Sequence, residues 1–132
     1  MAFKWDILHP SKHVPLLYTF VLLGENLTGA AFKFCAAATQ GGSALVTLNA
    51  AAAGSEGVSV AYDAAYVHPA TGVAVGASTM TAQLNEVTIE ALTFGAAPAD
   101  LVLAYDFLIT PSGGVQRVHA YGALTIQQGI GD

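Results

Sequence analysis

The chain has 132 residues, nine acidic and four basic side chains, and a net charge of −5. Four scattered cations (Lys4, Lys12, Lys33 and Arg117) exclude the basic patch that a nucleic-acid partner needs, and a single cysteine excludes an intrachain disulfide framework. Only 10% of residues are charged and 54% are hydrophobic, against about 25% charged in an ordinary soluble protein, so neighbouring subunits are expected to cover part of the surface.

The chain length predicts one domain with a single buried core. Residues 1–13 carry Trp5, His9, Pro10 and His13 with little periodicity. They read as an extended N-terminal arm, with Phe3, Trp5, His9 and His13 as candidate contacts to a partner. The start, MAFKWDILHP, lacks the apolar core and small-residue cleavage site of a signal peptide. That predicts a protein made and kept in the cytoplasm until it assembles. Residues 14–132 are then one sandwich domain.

Residues 14–23 are apolar on both faces, which suits a strand buried on both sides or partly in an interface. Gly24, Glu25 and Asn26 read as a turn. In the next strand region, 27–39, Phe32 and Phe34 point one way while Lys33 and Cys35 point the other. Cys35 has apolar neighbours and is expected to be an inert core thiol. A turn at 40–43 leads to a returning strand with Val46 and Leu48 in phase. Val58, Val60 and Tyr62 alternate as the next strand, followed by a loop at 68–72 and a short extended piece at Val73 and Val75. Over 78–92, Met80, Leu84, Val87 and Ala91 fit helical spacing, whereas Val87 and Ile89 alternate with Thr88 and Glu90. The β-branched residues favour a strand for 86–92. Residues 94–100 read as a loop or single helical turn around Pro98.

The uncharged stretches 34–55 and 64–85 contain too many polar residues, glycines and a proline to form a transmembrane helix of about 20 apolar residues.

The strongest local pattern is a hairpin, LVLAYDFLIT–PSGG–VQRVHAYGALTIQQ. Leu101, Leu103, Tyr105, Phe107 and Ile109 share one face by their period of two. Pro and Gly suit the turn. Closing it over four residues sets Phe107 against Val118, Tyr105 against Ala120, Leu103 against Gly122 and Leu101 against Leu124, so two apolar faces coincide. The same register sets Asp106 opposite His119 with Arg117 diagonal to it. A cross-strand charge pair that pins register, worth about 0.2–1 kcal/mol, is the expected role. General-base chemistry by Asp106 and His119 would need a nucleophile in a setting such as G-x-S-x-G, which the sequence does not contain.

No catalytic, cofactor-binding or metal site is predicted. His9 and His13 are four residues apart, but Pro10 stands between them, with no third ligand close in sequence. Segment LLGENLTG lacks the Gly-Lys-Ser/Thr ending of a phosphate loop. About seven to eight short strands separated by turn signals indicate an all-β antiparallel sandwich.

Two segments carry a family resemblance. ENLTGAAFKF is similar to the D-L-T-G-A-x-V-x-F strand opening of small phage structural domains. LVLAYDFLITPSGGVQRVHAYGALTIQQGI is similar to their closing hairpin, a Y-D-[LF]-x-I-T strand, a Gly-containing turn and a final G-x-[LI]-x-[IV] strand end. Leu27, Thr28, Gly29, Tyr105, Asp106, Ile109, Thr110, Gly122, Leu124 and Ile126 carry the match. The chain thus resembles the immunoglobulin-like β-sandwich of tailed-phage virions, including the N-terminal domain of some baseplate proteins.

The resemblance implies a non-enzymatic virion component, assembled in the host cytoplasm. It would act as an adaptor joining tail, neck, baseplate or fibre parts, with other virion proteins and copies of itself as partners. Neither nucleic acid nor membrane is among the expected partners, and no cofactor is implied. The alternatives are a capsid decoration protein, or a host-receptor or carbohydrate-binding module using Tyr62, Tyr66 and Trp5. A small hydrolase ranks last.

Overall fold

A computed structural model describes residues 3–92 and 100–127. Its strands in chain order are β1 (Phe3–Lys4), β2 (Ile7–His9), β3 (Leu16–Leu23), β4 (Ala31–Ala37), β5 (Ala44–Asn49), β6 (Gly57–Asp63), β7 (Ala77–Leu84), β8 (Leu101–Thr110) and β9 (Arg117–Ile126), with one short helix, α1 (Glu86–Glu90), between β7 and β8. The larger sheet runs β1-β9-β8-β4-β5, with β2 also on β9; the smaller runs β3-β7-β6. The fold is all-β, a sandwich of two sheets. No helix among the described residues is long and apolar enough to cross a membrane.

Alternation builds the core. Phe32 and Phe34 of β4, and Leu103, Tyr105, Phe107 and Ile109 of β8, turn inward and are buried. Met80, Ala82 and Leu84 of β7 and Leu16 and Phe20 of β3 meet them from the other sheet. Phe20 stacks on Phe107 with ring centroids 4.6 Å apart, and Phe34 stacks on Tyr105 at 5.1 Å. An aromatic pair of this kind adds about 0.5–1.5 kcal/mol beyond the area it buries, so Phe20–Phe107 is a principal tie between the sheets.

The β8–β9 hairpin forms with its apolar faces matched, but in a different register. The pairs are Leu101↔Ile126, Leu103↔Leu124, Tyr105↔Gly122 and Phe107↔Ala120. Two effects shift the pairing. Pro111–Gly114 does form a turn, closed by the Gly114 N–H on the Pro111 carbonyl at 2.8 Å. Val115 and Gln116 then extend the loop, so Ile109 pairs with Arg117. That displacement of one residue would invert the inward face of β9. A bulge opposite Phe107/Leu108 inserts His119 and restores the phase.

The sequence expectation of a strand over 86–92 is corrected to a helix. β7 ends at Leu84, and Glu86–Glu90 makes one helical turn that carries Ile89 into full burial while Val87 stays exposed. Tertiary burial of Ile89 overrides the β-branched preference. Val73 and Val75 belong to no strand; nearby, Val67 and Ala74 form only an isolated bridge. The expected loop at 94–100 lies almost wholly outside the described residues. Cys35 sits half-buried on the outer face of β4, not in the core.

The N-terminal stretch is extended, and it is stitched onto its own sheet. β1 and β2 both run parallel to β9, pairing Phe3 with Ala120 and Ile7 with Leu124. Between them the chain passes over Gly122. The Trp5 carbonyl accepts a hydrogen bond from the buried Tyr105 hydroxyl, the Trp5 N–H donates to Tyr121 O at 2.7 Å, and Asp6 Oδ1 accepts from the Ala123 N–H at 3.0 Å. A Cβ on Gly122 would lie 2.5 Å from the Trp5 carbonyl oxygen and 2.8 Å from Asp6 Oδ1, and the residue has φ +154°. Backbone on backbone cannot yield cheaply there. Gly122→Ala is therefore expected to cost about 1–3 kcal/mol. Urea denaturation and hydrogen exchange over residues 3–9 check this; an unchanged midpoint with unchanged protection would contradict it.

Candidate functional site

β1 and β3 are the edges of their respective sheets, and they stand on the same side of the sandwich. Between them opens an apolar slot of about 450 Å³, lined chiefly by Phe3, Trp5, Phe20, Leu22, His119 and Ala120. Phe3 and Trp5 stand half-exposed at its mouth. Trp5 is fixed at its carbonyl by the Tyr105 hydroxyl, and its side chain lies beside the Tyr18 hydroxyl. Burial raises the pKa of both tyrosine hydroxyls above the ordinary phenol range, so both stay protonated.

His119 forms the floor. The bulge that restores hairpin phase also turns its ring inward, against Phe3 (5.8 Å between centroids), Phe107 (6.0 Å) and Phe20 (6.3 Å). Burial in this aromatic nest, with the Arg117 guanidinium nearby, pushes its pKa below the usual imidazole value. The slot is thus neutral and apolar at neutral pH.

The expected Asp106–His119–Arg117 constellation is corrected. Asp106 pairs in register with Tyr121 on the outer face, while His119 is buried on the inner side. Arg117 Nη2 donates to Glu25 Oε2 at 2.8 Å, pinning the hairpin to the turn after β3. The loop extension and the bulge together move His119 two places from Asp106.

The candidate partner contacts divide. Phe3 and Trp5 are at the slot. His9 is buried, and its Nε2–H donates to the Val14 carbonyl at 2.6 Å, so it closes the 9–14 loop and is not open to a partner. His13 Nδ1 lies 2.9 Å from Glu90 Oε2 and ties that loop to α1. The helical turn brings Glu86 to the same place, and His13, Glu86 and Glu90 each offer a ligand atom within 4.8 Å of the others. They are the one group among the described residues spaced to hold a cation. The His13–Glu90 contact and the exposure of the two carboxylates suit a surface ion pair equally well. Of the aromatics considered for sugar binding, Trp5 lies beside β3, and Tyr62 lies on β6, the opposite edge of the small sheet. These two do not converge.

The slot was invisible in sequence because it joins residues about a hundred positions apart. One signal was present: residues 16–23, LLYTFVLL, hold no charge, proline or glycine.

No protein-family model matches this chain, and no curated protein matches it either.

The buried imidazole makes stability depend on pH. Its folded pKa lies below its unfolded value of about 6.5, so below pH of about 6.5 the unfolded chain takes up a proton that the folded chain refuses. Stability is full above that pH and falls as the medium is acidified. Thermal denaturation from pH 7.5 to 5 is expected to show a falling Tm, and a His119→Phe variant a shallower fall. Equal slopes would contradict the assignment.

Proposed function

We propose that this chain is a non-enzymatic structural component of a tailed-phage virion, an immunoglobulin-like adaptor that assembles tail, neck, baseplate or fibre parts. The observation that carries the reading is the apolar slot and the uncharged β3 strand beside it, on a chain with few charges anywhere. Large side chains stand in solvent there: Phe3, Trp5, Leu17 and Val21 are each about half exposed or more. An exposed patch of this kind marks a surface made to be covered. Multivalent attachment through many weak, symmetric contacts uses such surfaces.

The phage assignment is supported by the resemblance of ENLTGAAFKF and of the closing hairpin. Residues of both segments have definite structural work in the sandwich. Leu27 is buried, and Gly29 takes φ +80° in a turn closed by the Ala30 N–H on Leu27 O at 3.0 Å. Ser78 anchors that turn to β7, accepting from the Leu27 N–H at 2.9 Å and donating to the Glu25 carbonyl at 2.7 Å. Tyr105 and Gly122 form the crossing point of the N-terminal segment. An adaptor is favoured over a carbohydrate-binding module because Trp5 and Tyr62 occupy opposite edges.

Density-gradient purification of particles from cells carrying this gene, followed by quantitative mass spectrometry, tests the reading. The chain is expected at fixed stoichiometry in the particle fraction. Its recovery only among non-particulate proteins would overturn the assignment.

A further inference from the structure

We propose that the free edge of β3 is a self-association site, where a second copy of this chain adds its own β3 in antiparallel fashion and joins two three-stranded sheets into one of six strands. The inference deepens the assembly reading above and rests on it for its purpose, though not for its geometry.

The backbone comes first. β3 pairs with β7 over all eight residues, Leu16↔Leu84 through Leu23↔Ala77, without a shift in register. Among the described residues its other side bonds to no strand. In an antiparallel ladder, alternate residues turn their N–H and C=O groups away from the existing neighbour. β3 therefore presents a straight, unbulged row of donors and acceptors. Edges of monomeric proteins are usually blunted by a charge, a proline, a bulge or short length. LLYTFVLL has none of these.

Charge selects the occupant. The molecule carries a net charge of −5, so two copies can approach closely only through a face without net charge. In register, the outer face of the small sheet presents Leu17, Thr19, Val21 and Leu23 from β3, with Thr79, Thr81 and Gln83 beside them on β7. Asp63, at the far corner on β6, is the sole charged position of that face. Antiparallel self-pairing about the middle of β3 sets Leu, Val and the central Thr19 side chains against one another, with no charges opposed.

The area is also of the right order. Leu17, Val21, Leu23, Phe3 and Trp5 are 61, 47, 37, 51 and 53% exposed. These five residues can contribute at most about 500 Å² per copy, or about 1,000 Å² across a two-fold axis before the backbone edge is counted, against about 1,200–2,000 Å² for a specific interface. The slot beside β3 supplies room for inward-facing side chains of the added strand. An isologous contact of this kind closes on itself as a dimer.

The test is sedimentation equilibrium of the full chain over a range of concentrations, with Val21→Lys and Leu17→Lys as variants. Both positions are exposed, so the monomer fold is expected to survive, as circular dichroism will report. Val102→Lys places the same charge on an exposed position of the other sheet. The wild type and Val102→Lys are expected to dimerise, and either β3 variant to weaken the dimer about tenfold or more. Protection of alternate β3 amides from hydrogen exchange should rise with concentration in the wild type. A wild type that stays monomeric, a dimer indifferent to both β3 variants, or one lost only in Val102→Lys would each overturn the proposal. A monomeric chain that still purifies with particles would overturn this edge pairing alone and leave the virion assignment standing.

Discussion

The crossing of the N-terminal segment over Gly122 is the constraint on which the functional geometry depends. Tyr105 on β8 is buried opposite Gly122, and its hydroxyl reaches the Trp5 carbonyl across β9 because position 122 has no side chain in the way. Without that approach, residues 3–9 would have no continuous partner on β9. With it, β1 and β2 become the sheet's last strand, Ile7 and His9 are buried, and Phe3 and Trp5 are delivered to the mouth of the slot. A single backbone contact thus determines which apolar side chains face solvent.

The second constraint is the bulge at His119. Loop closure at Arg117 would put the wrong face of β9 inward, and an inserted residue corrects it. The inserted imidazole must go somewhere, and the space between Phe3, Phe20 and Phe107 takes it. Burial among these three rings, away from water, favours the neutral imidazole over the charged one. The longer loop before it sets Arg117 opposite Ile109, from where it reaches Glu25 across the end of the sandwich. Register repair and slot floor have one origin.

These two features also explain how far the sequence could be read. The period-two faces of β4 and β8 were legible because each position alternates between core and solvent, and the sandwich class followed from them. The hairpin faces were right while the partners were two residues off, since a bulge leaves no local signature in VQRVHAYG. Asp106, His119 and Arg117 therefore parted company. The helix at Glu86–Glu90 was missed because one turn is too short for periodicity to outweigh three β-branched residues, and only the burial of Ile89 decides it. The parallel docking of β1 and β2 was beyond sequence reasoning, since it depends on what residue 122 lacks. Residues 14–23 are apolar on both faces in sequence, and among the described residues the strand they contain leaves its outer side chains and second edge unpaired with any strand.

Trp5 is the only tryptophan in the chain, and it stands at the slot mouth beside the free edge. Acrylamide quenching of its fluorescence across a concentration series therefore reports directly on whether association covers that edge. Quenching should be strong in dilute solution and fall, with a blue shift, as the chain associates. Association that leaves Trp5 equally accessible at every concentration would contradict the assignment of this edge as the assembly surface.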